Sequence, residues 1–208
     1  MLDSRPRRLS RLVPWGPTTA VALLWGLGAP FPVSAQDRPE GVRLDSSVEY
    51  YDISAPSIDY VIATLNQMRL EGPDTPPSQG LTRYHIQPEW SPRPGGGVCR
   101  VDRVQVHVDV DILLPRWVEV RERPVLEQAR WNTIEAAIRE HEYAHGDLVI
   151  EAAEALAGQL SALEARGCGT LRTVVASTMS VADGALKEAH AEFDRNTPPR
   201  LSLGPGAP

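Results

Sequence analysis

The sequence has little positive charge. Its 208 residues include 21 lysines and arginines against 27 aspartates and glutamates, which gives a formal net charge of −6 at pH 7. Proteins that bind nucleic acids gain much of their affinity from basic side chains that contact phosphates. We therefore expect a protein without a nucleic-acid partner.

The sequence also lacks an apolar run long enough to favour a membrane-spanning helix. Residues 1–35 instead follow the order of a secretory signal peptide: four arginines, a short apolar stretch around residues 20–27, and Val33-Ser34-Ala35 before Gln36. We expect cleavage after Ala35 and a secreted or periplasmic protein that is not stably inserted in the membrane. Because the removed segment holds four arginines and one aspartate, the mature net charge becomes −9. An uncleaved membrane anchor is the alternative.

Cysteine is scarce, with Cys99 and Cys168 the only two in the chain. Neither belongs to a C-x-x-C pair, which argues against a thiolate metal site. An even cysteine count in an exported protein favours a disulfide. A bond that closes so long a loop would stabilise the fold by about 4 kcal/mol in the chain-entropy treatment. Two buried free thiols are the alternative.

The first half of the mature chain contains the strand patterns. Aromatic and β-branched residues predict strands over residues 48–53, 81–90 and 98–114, and an apolar face between Ile58 and Met68 predicts a helix. In the longest strand, apolar and polar residues alternate with the period of two that buries one face; the apolar positions are Val104, Val106, Val108, Val110 and Ile112. Prolines and glycines over residues 92–97 predict a loop between the last two strands, so we expect these to pair antiparallel.

The second half is helical in pattern. Residues 125–166 contain no proline and predict a helix that would extend to roughly 60 Å, so we expect a break near Gly146 or Gly158. A last helix over residues 170–195, bent near Asp183-Gly184, could fold back as an antiparallel hairpin. The expected fold is α+β: a small antiparallel sheet with an N-terminal helix, followed by a long-helix hairpin. One domain over residues 36–197 and a disordered tail over residues 198–208 complete this prediction.

The pentapeptide His141-Glu142-Tyr143-Ala144-His145 is the strongest chemical signal in the sequence. Helical residues four apart lie on one face about one turn apart, so both imidazoles can reach one metal ion. The glutamate then lies beside the open metal position and can move a proton from a water to a leaving amine. This H-E-x-x-H pattern of zinc peptidases predicts His141 and His145 as metal ligands and Glu142 as the catalytic base. A helix face that simply contacts water is the alternative.

A zinc site with an open position needs a third protein ligand. His190 and Asp194 share one face of the predicted last helix, which could pack against the motif helix. His85 and His107 lie on predicted strands, where an outward histidine is usually exposed. The third ligand is therefore expected from the last helix.

Beyond the pentapeptide, an ordered set of residues resembles an uncharacterised bacterial family of predicted secreted zinc-dependent proteases (domain of unknown function 922). The resemblance covers about residues 50–197. It rests on Tyr51-Asp52-Ile53-Ser54, Trp90, Cys99, Leu114-Pro115-Arg116-Trp117, Trp131, the pentapeptide, Cys168 and Phe193-Asp194-x-x-Thr197.

The resemblance implies a zincin-like domain with a zinc cofactor, His141 and His145 as ligands and Glu142 as general base. Members of the family usually continue after the threonine with x-His-Gly, where this chain has Pro198-Pro199-Arg200. If that histidine is a ligand in relatives, this chain is a weakened or inactive member. If the aspartate is the ligand, Asp194 completes the site, with His190 as the fallback.

Together these observations predict an exported zinc metallopeptidase that hydrolyses peptide or protein substrates. Tyr143 and His190 are candidate donors to the developing oxyanion, although helical geometry directs Tyr143 away from the ligands. A non-catalytic envelope binding protein with a structural or vestigial metal site is the alternative. Hydrolysis of a non-peptide amide, such as one in the cell wall, is a third possibility.

Overall fold

The structure is a computed structural model that describes residues 41–68, 70 and 78–197. The predicted signal peptide (1–35) and the predicted tail (198–208) lie outside these residues. The elements are, in order, β1 (Val42–Ile53), α1 (Ile58–Gln67), β2 (Leu81–Gly95), β3 (Val98–Trp117), a 3-10 turn (Val120–Glu122), α2 (Val125–Ser161), β4 (Glu164–Ala165) and α3 (Cys168–Asn196). The predicted combination of a small sheet with an early helix and two long helices is confirmed.

The sheet is mixed, and the prediction of a purely antiparallel sheet is wrong. Its strands lie in the order β1–β3–β2, and the two-residue β4 pairs with the start of β3. β2 and β3 pair antiparallel as predicted, whereas β1 runs parallel to β3. Parallel neighbours need a long crossover connection. Here α1 and β2 provide it, because they lie between β1 and β3 in the chain.

β3 is the central strand and supplies the predicted alternating face. Val106, Val108 and Val110 are buried in the main core, where residues of α1 and α2 pack against them. A buried apolar face on the central strand positions α2 across the sheet. The location of the functional candidates on α2 therefore follows from this face.

The prolines expected in a loop lie inside β2 instead. Pro92 and Pro94 pair with Val101 and Cys99, and the pairing shifts register between Ser91 and Pro92. Among the described strands β2 has β3 as its one neighbour, so its other edge carries no ladder hydrogen bonds to lose, and proline is tolerated there. The turn itself is formed by Gly96 and Gly97, whose φ angles of 61° and 80° suit glycine.

The two long helices are less interrupted than predicted. α2 is one continuous helix of 37 residues, about 55 Å long, and it passes through both Gly146 and Gly158. A Cβ on Gly146 would lie 3.7 Å from Val110 Cγ1, an ordinary van der Waals contact, so the helix packs on the sheet at this position without a break. α3 likewise continues through Asp183 and Gly184.

α2 and α3 form the predicted antiparallel hairpin. Near its turn, Leu156 and Leu160 pack with Leu171 and Val175 in a second core cluster. The sulfurs of Cys99 and Cys168 lie at the disulfide distance of 2.09 Å, which links the start of β3 to the start of α3.

Among the described residues, no helix combines the length and apolar character needed to cross a lipid bilayer.

Candidate metal centre

The pentapeptide lies in the middle of α2, on the side of the helix that faces the protein interior. His141, Glu142 and His145 are only 7%, 2% and 4% exposed. Tyr143, between them, is 38% exposed and points outward, as its helical position predicts. Because buried polar groups require partners, the contacts of these three side chains define the site.

Asp194, in the last turn of α3, meets both motif histidines. Its Oδ1 lies 3.1 Å from His141 Nε2 and 2.9 Å from His145 Nε2, and the two Nε2 atoms are 3.2 Å apart. Thr197 ends α3 just beyond, where its backbone N–H donates to the Phe193 carbonyl. Three donor atoms from two helices therefore converge on one point.

The geometry of these three groups fits a zinc ion. Tetrahedral ligands at 2.0–2.1 Å from zinc are separated by about 3.3 Å, close to the distances between the three donor atoms. Two neutral imidazoles and one carboxylate are also a donor set that zinc accepts. Burial lowers the pKa of His145 despite the nearby Asp194 carboxylate, which favours the neutral ring that binds metal.

His190 contacts the opposite side of His145. Its Nδ1 lies 2.8 Å from His145 Nδ1, and its ring stacks on Tyr84 with the centroids 5.2 Å apart. Burial, followed by the proximity of His145, lowers the pKa of His190 to about 4, so this ring is neutral at physiological pH. The structure thus places His190 beside the nitrogen of His145 that faces away from Asp194.

Glu142 extends from α2 towards the start of β2. Its Oε2 lies 2.8 Å from Thr82 Oγ1, and a Cβ added to Gly80 would lie only 2.6 Å from Glu142 Cγ and Oε1. Burial raises the pKa of Glu142 to about 7; the Thr82 hydroxyl lowers it, and the charge of Asp194 raises it. A carboxyl with this pKa can hold or release a proton near neutrality.

Thr82 suits both protonation states of Glu142. Its Oγ1 is 2.8 Å from Glu142 Oε2 and 2.9 Å from the Glu142 backbone oxygen, yet the hydroxyl has a single hydrogen. When Glu142 is ionised, Thr82 donates to the carboxylate. When Glu142 is protonated, the carboxyl donates to Thr82 Oγ1 and the threonine donates to the backbone oxygen.

Two aromatic residues complete the surroundings. The Phe193 ring packs against both motif imidazoles, with each centroid distance 5.0 Å. The Tyr51 hydroxyl donates to the Gln79 carbonyl at 2.5 Å, and burial together with the charge of Glu142 raises the pKa of Tyr51. Phe193 thus packs against the two motif histidines. Tyr51 hydrogen-bonds the segment just before β2, the strand whose start contacts Glu142.

The remaining histidines do not belong to the His141, His145 and Asp194 cluster. His85 is exposed on β2, and His107 is half-buried with its Nε2 3.9 Å from Glu89. Gly80 and Thr82, which contact Glu142, were not predicted from the sequence. The sequence did contain one indication for Thr82. It lies an even number of residues from the apolar Ile86 and Trp90, so on the predicted strand it shares their face.

A family model described as "Bacterial protein of unknown function (DUF922)" matches residues 48–198. No curated protein matches the chain, and no solved structure does.

Proposed function

The chain belongs to this bacterial family of unknown function, and we propose that it is an exported zinc-dependent metallopeptidase. The observation that carries the proposal is the convergence of His141 Nε2, His145 Nε2 and Asp194 Oδ1 to within 3.2 Å of one another. Such a cluster, with a buried glutamate next to one ligand, matches the parts that zinc peptidases require.

His141, His145 and Asp194 would hold the zinc ion. When bound, the ion would act as a Lewis acid that polarises a substrate carbonyl and activates a water molecule. Glu142 would take the proton from that water and deliver it to the leaving nitrogen. Its contact with Thr82, which accommodates both protonation states, supports this double role.

His190 would position His145 rather than bind the ion. If His145 Nε2 bound the metal, His145 Nδ1 would carry the hydrogen and would donate it to His190 Nδ1 across 2.8 Å. Second partners of this kind fix the tautomer and the ring orientation of metal-binding histidines. Asp194 is therefore favoured over His190 as the third ligand.

Export is supported by the signal-peptide pattern of residues 1–35 and by the disulfide-bonded pair, since disulfides persist mainly in oxidising compartments. Protein recovered from the culture medium or periplasm should begin at Gln36. An N-terminus that still contains residues 1–35 would contradict cleavage.

The test measures zinc content and peptide hydrolysis in the mature protein. We expect one zinc per chain, lost in His141→Ala and Asp194→Ala, and cleavage of an unfolded protein substrate such as casein. Glu142→Gln should keep the zinc and lose cleavage, whereas Glu140→Gln, an exposed neighbour on the same helix, should keep both. Undiminished cleavage by Glu142→Gln would refute the mechanism, and zinc without cleavage in the parent protein would favour a structural metal site.

A further inference from the structure

The two edges of the sheet differ in how they are protected against pairing with another chain. The edge strand β2 contains Pro88, Pro92 and Pro94, and its pairing with β3 shifts register after Ser91. Prolines and irregular pairing are features that keep an exposed edge from pairing with a further strand. β1 has 12 residues with no proline, and its pairing with β3 is continuous. The outer edge of β1 therefore lacks this protection.

The outward backbone groups of β1 belong to its even-numbered residues. The carbonyl groups of Gly41 and Ile53 accept hydrogen bonds from Val106 and Val118, so the odd-numbered residues direct their backbone groups to β3. Successive residues of a strand direct these groups to opposite sides, and the even-numbered residues therefore direct theirs away from the sheet. Within the described part of the chain, no strand pairs with this edge and no hydrogen bond from a turn or loop reaches it.

The side chains of β1 leave the same edge uncovered. Residues 45–50 are all exposed, and the large apolar side chains of Val48 and Tyr50 are 40% and 49% exposed. Val42 and Leu44, earlier in the strand, are only partly buried against the core. Alternation along the strand places these four side chains on one face. β1 thus presents a row of apolar side chains beside its open backbone.

The charges of β1 are complementary to those of a second copy in one antiparallel register. Antiparallel pairing matches outward residues with outward residues, so the two-fold axis passes through a residue. With the axis at Ser46, Arg43 lies opposite the partner's Glu49, and symmetry repeats this pair. With the axis one residue away, at Asp45 or Ser47, two acidic side chains lie opposite each other instead. Opposite charges across strands stabilise a sheet and like charges destabilise it, which favours the axis at Ser46.

The apolar side chains match in the same register. Leu44 lies opposite the partner's Val48, and Val42 lies opposite the partner's Tyr50. These are pairs in which both residues direct their backbone groups outward, so each pair can exchange two hydrogen bonds. The pairing would therefore use the open backbone groups and cover the exposed apolar row together.

We infer that the protein forms a symmetric dimer in which β1 pairs antiparallel with β1 of a second copy over residues 42–50. The two sheets become one continuous sheet, and the same surface serves both subunits, as a two-fold interface requires. The inference is independent of the proposed function, because none of residues 42–50 belongs to the candidate metal cluster.

The first test measures association of the mature protein by sedimentation velocity, from about 5 to about 200 µM. We expect a monomer–dimer equilibrium in the parent protein. Arg43→Glu or Glu49→Arg places like charges opposite each other twice, so each should raise the dissociation constant at least about tenfold. The double variant Arg43→Glu/Glu49→Arg restores opposite charges and should return the constant to within about threefold of the parent value. The control Arg121→Glu, at an exposed position on the 3-10 turn, should leave it unchanged.

Circular dichroism verifies that each variant is folded. A parent protein that stays monomeric at the highest concentration would overturn the inference and leave the edge to a strand of another protein. Unchanged association in the single variants, or no recovery in the folded double variant, would overturn the proposed register.

The second test locates the interface by cross-linking. The two Ser46 Cα atoms would lie about 5.5 Å apart, within the range that a disulfide spans. Ser46→Cys should therefore form an intermolecular disulfide on oxidation, seen as a dimer in a non-reducing gel, while Cys99 and Cys168 remain bonded to each other. In the matched control Ser47→Cys the two Cα atoms would lie about 8 Å apart, beyond that range. A dimer that does not cross-link at residue 46, or that cross-links equally at residue 47, would refute this interface.

Discussion

Thr82→Val removes the hydroxyl next to Glu142 with little change in side-chain volume. In the metal-free protein the pKa of Glu142 is about 7, and the Thr82 hydroxyl at 2.8 Å is the main contact that lowers it. A hydrogen bond to the ionised carboxylate contributes about 1.5–3 kcal/mol, whereas the bond that the protonated carboxyl makes to the same hydroxyl contributes about 0.5–1.5 kcal/mol, so the difference corresponds to a pKa change of about 1. We therefore expect the pKa of Glu142 to rise to about 8 in the variant.

The sign of the stability change follows from proton uptake. Glu142 has a higher pKa in the folded protein than its ordinary value of 4.5, so the folded state retains a proton that the unfolded state releases. The contribution of this proton to the free energy of unfolding is fully present below pH 4.5. It is lost as the pH rises towards 7, by about 3 kcal/mol in total. In Thr82→Val the decline should continue to about pH 8.

The assay is a ¹³C NMR titration of glutamate side chains in metal-free protein, with Glu142→Gln used to assign the resonance. Thr178→Val is the matched control, because the Thr178 hydroxyl is also partly buried but donates to Val174 O within α3. It should leave the titration of Glu142 unchanged. A pKa of Glu142 that stays the same or falls in Thr82→Val would refute the assigned hydrogen bond.

Three further predictions concern the site and its support. Gly80→Ala places a Cβ 2.6 Å from Glu142 Oε1 and should displace the Glu142 carboxylate. We expect the rate of hydrolysis to fall on the order of 100-fold with the zinc content unchanged. An unaltered rate would contradict the close packing of Gly80 against Glu142. His190→Phe keeps a ring stacked on Tyr84 but removes the hydrogen-bond acceptor for His145. Zinc affinity, measured by competition with a chelating dye, should fall about 10- to 100-fold. The control His85→Phe, at an exposed position, should leave the zinc affinity unchanged. Replacing Cys99 and Cys168 with alanine releases a loop of 69 residues and should lower the free energy of unfolding in urea by about 4 kcal/mol; a loss below about 1 kcal/mol would contradict this.

Local patterns predicted the elements that carry the site. The spacing of His141 and His145 and the shared helical face of His190 and Asp194 depend on the 3.6-residue period, which the sequence displays directly. The hairpin then follows, because a short connection between two long helices brings them together antiparallel. Asp194 meets the two motif histidines for this reason.

Features that depend on tertiary arrangement were not predictable in the same way. The parallel placement of β1 depends on how α1 and β2 return the chain, and nothing within residues 42–53 specifies it. A break was expected near Gly146 or Gly158, but α2 continues through both while its inner face packs against the central strand. The contacts of Gly80 and Thr82 with Glu142 likewise arise from packing between distant segments.

The α2–α3 hairpin is fastened at both of its ends. Near the turn, Cys168 ties α3 to β3, and at the opposite end Asp194 meets His141 and His145. One attachment is covalent, and the other would depend on the proposed metal ion. On the proposed function, removing the metal while the disulfide remains should loosen the last turn of α3, beyond the buried Leu186, more than its first turn. The proposed metal would then contribute to the order of the end of α3 as well as to the chemistry.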